Sequence, residues 1–110
     1  MEKFVKGDVV VLPFPFSDLT GSKRRPAFVL ADLKGDDIIL CQITSQHTGD
    51  HYAVALEETD FASGSLPSAS YIRPTRIFTA DKNIIVRKAG KVKDKIADET
   101  GKHIIRLISA

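Results

Sequence analysis

The sequence predicts a mainly β fold closed by one C-terminal helix, with its strands gathered into a strongly bent sheet or small barrel. Three observations lead there. Short apolar segments recur between clusters of turn-forming residues. One of them, Ala27-Phe28-Val29-Leu30-Ala31, is apolar throughout, as in a strand covered on both faces. Only the tail repeats its apolar residues at three- and four-residue spacing, the period of an amphipathic helix.

The elements follow in order. Asp8 to Leu12 is valine-rich and stops at Pro13, which predicts a strand. Phe14 to Arg25 carries Pro15, Asp18, Thr20, Gly21 and Ser22 and is expected to be a long loop. Pro26 to Leu33 and Ile38 to Thr44 read as two strands joined by the hairpin turn Lys34-Gly35-Asp36-Asp37. Ser45 to Asp50 is a polar loop, and His51 to Glu57 alternates as a fourth strand should. Glu58 to Pro67 is expected to be irregular. Ala69 to Thr79 is a fifth strand in which Pro74 marks an edge or a bend. Ile84 to Lys88 is a sixth, ended by Gly90. Val92, Ile96, Thr100, His103, Ile104, Leu107 and Ile108 define the helix, with Gly101 as its weak point.

A chain of 110 residues without repeats or linkers is expected to form one domain, residues 1–110. With 43% hydrophobic and 27% charged residues it reads as a soluble globular protein. No apolar run is long enough to span a membrane, and the N-terminus lacks a secretory signal, so a cytoplasmic location and no membrane partner are expected. The single cysteine, Cys41, excludes an internal disulfide and a cysteine-based zinc site, and its apolar surroundings predict a buried packing residue.

The net charge is only +2, but its distribution is uneven. Tyr71 to Lys95 holds eight basic residues and two acids, whereas Gly49 to Asp60 holds four acids and neither Lys nor Arg. Lys23-Arg24-Arg25 makes a second basic point. Such clustering can steer a polyanion to one face, although a mixed-charge surface is the simpler reading of charge alone.

Familiar catalytic signatures are absent: there is no nucleophile elbow, phosphate-binding loop or His-Glu-x-x-His. His47 and His51 flank Asp50 without an evident third ligand, so no metal and no cofactor are expected. The remaining chemistry lies in Lys23-Arg24-Arg25-Pro26, Ile43-Thr44-Ser45-Gln46 and Tyr71-Ile72-Arg73-Pro74-Thr75-Arg76. If the second and third strands pair through their short turn, Arg25 and Thr44 fall near the same end of the sheet. A guanidinium fork and a hydroxyl at that distance can grip one phosphate.

These segments resemble the MazF/PemK family of toxins. Lys6-Gly7-Asp8-Val9-Val10 is similar to the family's opening Gly-Asp strand, and Arg25-Pro26-Ala27-Phe28-Val29-Leu30 to its Arg-Pro strand. Ile43-Thr44-Ser45 resembles the end of its third strand, and Thr79-Ala80-Asp81-Lys82 its Thr-x-Asp-Lys segment. Asp60-Phe61-x-x-Gly64-x-Leu66 is similar to a segment of a short-chain branch. The resemblance implies a CcdB-like fold, an SH3-like barrel with a terminal helix, assembled as a homodimer and paired with a cognate antitoxin. It implies metal-independent, sequence-specific cleavage of single-stranded RNA that inhibits growth. On it, Arg25, Thr44 and Arg73 are the catalytic candidates, and Lys23, Arg24, Ser45, Gln46 and Arg76 the RNA-binding ones. Two positions depart from the pattern: Thr75 stands where some relatives carry Asp, and Phe78 where most carry Arg.

RNA supplies its own nucleophile, the 2′-hydroxyl, so the protein needs to orient it and stabilise charge on the phosphorus centre. A guanidinium, whose free pKa exceeds about 12, is a poor general base. Arg25 is therefore assigned first to charge stabilisation, with proton transfer left open. His47 is the nearby imidazole, and an exposed loop residue is its simpler reading. Two alternatives stay open: a CcdB-like toxin that grips a protein target such as gyrase, and a barrel that binds nucleic acid without cutting it.

Overall fold

The computed structural model describes residues 3–14, 23–47 and 49–110. Seven strands and one helix are seen: β1 (Asp8–Phe14), β2 (Lys23–Asp32), β3 (Asp37–Thr44), β4 (Val54–Leu56), β5 (Phe61–Gly64), β6 (Ser70–Asp81), β7 (Arg87–Val92) and α1 (Asp94–Ser109). The strands form one antiparallel sheet in the order β4-β6-β3-β2-β1-β7-β5. It is a curled half-barrel with a terminal helix, in keeping with the expected class.

The middle strands are covered on both faces, as the unbroken apolar run in β2 predicted. Alternate residues feed two cores. Val9, Phe28, Cys41, Ile43 and Ile72 share one with Ile96 and Ala97 of α1. Val10, Leu12, Ala27, Val29, Ile38 and Leu40 share the other with Phe4 and Phe14. Cys41 is fully buried, and burial pushes its thiol pKa up to about 12, so it serves as packing rather than as a nucleophile.

Several elements differ from expectation for identifiable reasons. Phe14 belongs to β1, its ring set edge-on to Phe78 with centroids 5.1 Å apart. Lys23-Arg24-Arg25 opens β2, so both ends of the expected loop are strand; its centre, 15–22, lies outside the described residues. The fourth strand keeps only Val54–Leu56. The stretch expected to be irregular contains β5, which shows no alternation because only Phe61 is buried in it. Gly90 sits inside β7 instead of ending it. A Cβ there would lie 2.5 Å from the Ser63 carbonyl oxygen, and one on Gly64 (φ +69°) would lie 2.1 Å from that of Ala89. The close approach of β5 and β7 therefore requires both glycines.

Pro74 produces a bend. The β3–β6 register jumps from Cys41↔Ile77 to Gln42↔Arg73, leaving Pro74, Thr75 and Arg76 as an extruded bulge. Ile84 lies in a 3-10 turn (Lys82–Ile84) capped by Asp81, which accepts from the Asn83 amide. Val92 ends β7 and α1 starts at Asp94; Gly101 leaves the helix continuous. Ile96, Ala97 and Thr100 form its buried stripe, while Ile108 is exposed.

Two of the family-like motifs serve the framework. Asp8, buried, accepts from the Val5 amide and pairs with Lys88 and Lys91 at 3.3 and 3.8 Å. Lys82 donates to the carbonyls of Leu33 and Gly35 at 2.8 and 2.9 Å and pairs with Asp32, which ties the β2–β3 turn to the end of β6. No described helix is long and apolar enough to cross a membrane.

Candidate functional site

Arg25 lies on β2 opposite Leu12 of β1. The β2–β3 register runs through Phe28↔Cys41 and Ala27↔Gln42; carried two residues further, it sets Arg25 across from Thr44. Thr44 in turn faces Tyr71 of β6, and Tyr71 faces Ala55 of β4. A single row thus crosses the sheet from Leu12 through Arg25, Thr44 and Tyr71 to Ala55, all on one face by strand alternation.

These strand ends border a cleft of about 480 Å³. Lys23, Arg24, Arg25, Thr44 and Ser45 line it from β2 and β3, and Ser68, Ser70 and Arg87 from beyond. Among the described residues that line it, four are cationic and none is acidic. Neighbouring residues such as Arg24 and Arg25 both reach it because it opens at the ends of the strands, where both faces of the sheet meet solvent. The Arg25 Nε is buried, with no hydrogen-bond partner among the described residues. A charged donor in that condition carries a desolvation cost that an incoming anion would relieve. Thr44 Oγ1 accepts from the Gln46 amide at 3.2 Å, which leaves the hydroxyl hydrogen available to the cleft.

The other expected site residues are placed differently. Gln46 is exposed and does not line the cleft. Arg76 is exposed on the Pro74 bulge and does not line the cleft either. Arg73 sits opposite Gln42, and its Nε reaches Asp50 at 3.4 Å. Asp50 also accepts from Thr75 Oγ1 at 2.7 Å and from the Tyr52 amide at 2.9 Å. Burial alone would raise the Asp50 pKa, but the hydrogen bonds from Thr75, Tyr52 and Arg73, with the Arg73 charge, hold it below the usual carboxylate range. The carboxylate beside Arg73 thus comes from the β3–β4 loop, and Thr75 donates to it.

His47 is exposed, and its ring lies 5.5 Å from that of Tyr71 at 87°. Among the described residues no three His, Cys, Asp or Glu side chains stand together as a metal-ligand group. Arg87 is a site residue that sequence reasoning did not select. It was counted within the basic stretch, but only the β1–β7 pairing, with Val11↔Arg87 in register, carries it to the cleft.

The sequence matches the model of a family described as the PemK-like, MazF-like toxin of type II toxin–antitoxin systems over residues 5–108. A comparison with curated protein sequences gives no significant match. The fold is similar to solved structures. An endoribonuclease in complex with its cognate antitoxin, from a Mycobacterial species, superimposes with a TM-score of 0.78 at 14% identity, covering 97% of this chain and 96% of that one. MazF from Deinococcus radiodurans gives 0.77 at 19% identity over 100% of both chains. MazF in the MazE–MazF complex of the same organism gives 0.75 at 20% identity over 96% of each.

Proposed function

Because this chain belongs to the PemK-like, MazF-like toxin family of type II toxin–antitoxin systems, we propose that it is a toxin that cuts single-stranded RNA in the cytoplasm without a metal ion. The observation that carries the reading is the cleft at the ends of β2 and β3. Among the described residues it gathers Lys23, Arg24, Arg25 and Arg87 with no carboxylate, and the buried Arg25 Nε has no hydrogen-bond partner there. A polyanion satisfies such a site better than any neutral ligand.

In this reading the 2′-hydroxyl of the RNA attacks the adjacent phosphorus and the 5′-oxygen leaves, giving a 2′,3′-cyclic phosphate. Arg25 stabilises the charge that builds on the phosphoryl oxygens, and the Thr44 hydroxyl donates to one of them. Arg73, two residues along β6 from Tyr71, lies on the same face of the sheet and offers its remaining donors to the strand while Asp50 holds its Nε. Lys23, Arg24, Ser45 and Arg87 hold the flanking backbone; Gln46 and Arg76 meet the strand farther out. The active form is a homodimer, and a cognate antitoxin restrains it.

The test is incubation with a long unstructured RNA in excess EDTA, followed by analysis of the new ends. Cleavage that leaves 2′,3′-cyclic phosphates is expected. A strict requirement for magnesium would overturn the mechanism, and binding without cleavage would reduce the protein to a nucleic-acid-binding barrel.

A further inference from the structure

Beyond Thr44 the face of the sheet carries a second, smaller cavity. It measures about 110 Å³ and is lined by His47, Gly49, Asp50, Ala53, Ala55 and Tyr71. Two of its walls are aromatic rings set almost at right angles, 87° apart with centroids separated by 5.5 Å. Apart from Asp50 the remaining lining is small, one glycine and two alanines. Tyr71 is the direct cross-strand neighbour of Thr44, so the corner adjoins the residue that faces Arg25.

We propose that this corner is a base-binding subsite that takes one unstacked nucleobase of the RNA, next to the phosphate held by Arg25 and Thr44. The inference rests on the RNA-cutting reading above and adds to it a recognition element. General chemistry and the structure converge. A planar ring entering the corner stacks on one aromatic face and meets the edge of the other, the two arrangements that π-systems favour. Bases of single-stranded RNA are commonly held by stacking on Tyr and His. The volume, about 110 Å³, admits part of one base and leaves its remaining edge in solvent. The wall formed by Asp50 is held by Thr75, Arg73 and the Tyr52 amide, so that side of the corner is in place before a base arrives.

The position also fits the charge pattern. The cationic residues of the cleft sit on the β1–β2–β7 side of Thr44, and the rings sit on its β6–β4 side. A strand of RNA crossing the row would leave its phosphates toward the arginines and turn one base toward Tyr71.

The test uses a short RNA containing one mapped cleavage site, a copy in which each nucleotide near that site is made abasic in turn, and a non-cleavable 2′-deoxy version. Stacking on one aromatic side chain is commonly worth roughly ten- to a hundredfold in affinity. In the unmodified protein, one abasic position beside the cut should therefore lower kcat/KM by about that factor. Tyr71→Ala and His47→Ala should lose a comparable factor on the intact RNA and become indifferent to that abasic position, while Tyr71→Phe keeps the preference. His47 is exposed, so His47→Ala reports on the site even if Tyr71→Ala unfolds. Cleavage by both alanine variants with undiminished dependence on every base would overturn the subsite and leave the nuclease reading intact. If the unmodified protein neither cuts the RNA nor binds its deoxy version, both readings fall. If it binds the deoxy version but cuts nothing, the same abasic series read by affinity decides the subsite alone.

Discussion

Thr75 donates its hydroxyl hydrogen to Asp50 Oδ2 at 2.7 Å, joining the bulge of β6 to a loop 25 residues earlier in the chain. Arg73 shares the same carboxylate oxygen. Asp50→Ala should therefore free the β3–β4 loop and leave Arg73 without its anchor. The expected cost is about 1–3 kcal/mol of stability, by analogy with other buried partners removed from a charged hydrogen bond. Chemical denaturation gives that number directly.

The pH dependence of the same contact has a definite sign. The folded-state pKa of Asp50 is depressed, so its contribution is present above the unfolded-state value and is lost as pH falls through the folded one. The stability gap between the parent and Asp50→Asn should stay flat from neutral pH to about 5 and close only below the ordinary carboxylate range. Urea melts at a series of pH values would show this, and a gap that closes near neutrality would contradict it.

Arg25→Ala should lower the single-turnover cleavage rate by on the order of a hundredfold or more, with little change in RNA affinity. Arg24→Ala and Arg87→Ala should instead weaken binding and flatten its salt dependence by about one phosphate contact each. Rates and affinities measured on one RNA at several salt concentrations separate the two behaviours. Equal effects on both parameters in all three variants would remove Arg25 from the chemistry.

Lys82→Met should destabilise the fold by about 1–3 kcal/mol, since its ammonium serves two turn carbonyls and one carboxylate. Cleavage per folded molecule should be unchanged, because Lys82 does not line the cleft. Thermal melts paired with activity at low temperature distinguish this from a catalytic role.

Gly101→Ala should stabilise the protein by roughly 0.5–1 kcal/mol through helix propensity. A Cβ there meets only the flexible end of Lys6, at 3.7 Å. A lowered melting temperature would contradict the open space at that position.

The antitoxin is expected to carry an acidic segment that competes with RNA for Lys23, Arg24, Arg25 and Arg87. Its carboxylates can occupy the same guanidinium forks as phosphates. Competition with a non-cleavable RNA measures it; simultaneous binding, with neither ligand weakening the other, would place the inhibitor elsewhere.

What the sequence revealed depended on how local the signal was. Five consecutive apolar residues in β2 announced double burial, and a short turn placed Arg25 and Thr44 at one end of a hairpin. The tail's helical period survived its glycine. β5 was illegible because its partner β7 lies about 30 residues away and three of its four residues face solvent. Asp50 gave no hint of its tie to Arg73, since a bulge and a loop bring them together across 23 residues. Arg87 was hidden for the same reason: no spacing rule connects it to Val11, whose strand neighbour it becomes only when the sheet closes.

That closure has a consequence for synthesis. β1 completes its pairing only with β7, and the cleft draws on residues from Val11 to Arg87. A nascent chain therefore has no complete cleft until Arg87 has been made and β7 has paired with β1. The hairpin of β2 and β3 can bring Arg25 and Thr44 together earlier, but the cation facing them arrives only with the last strand.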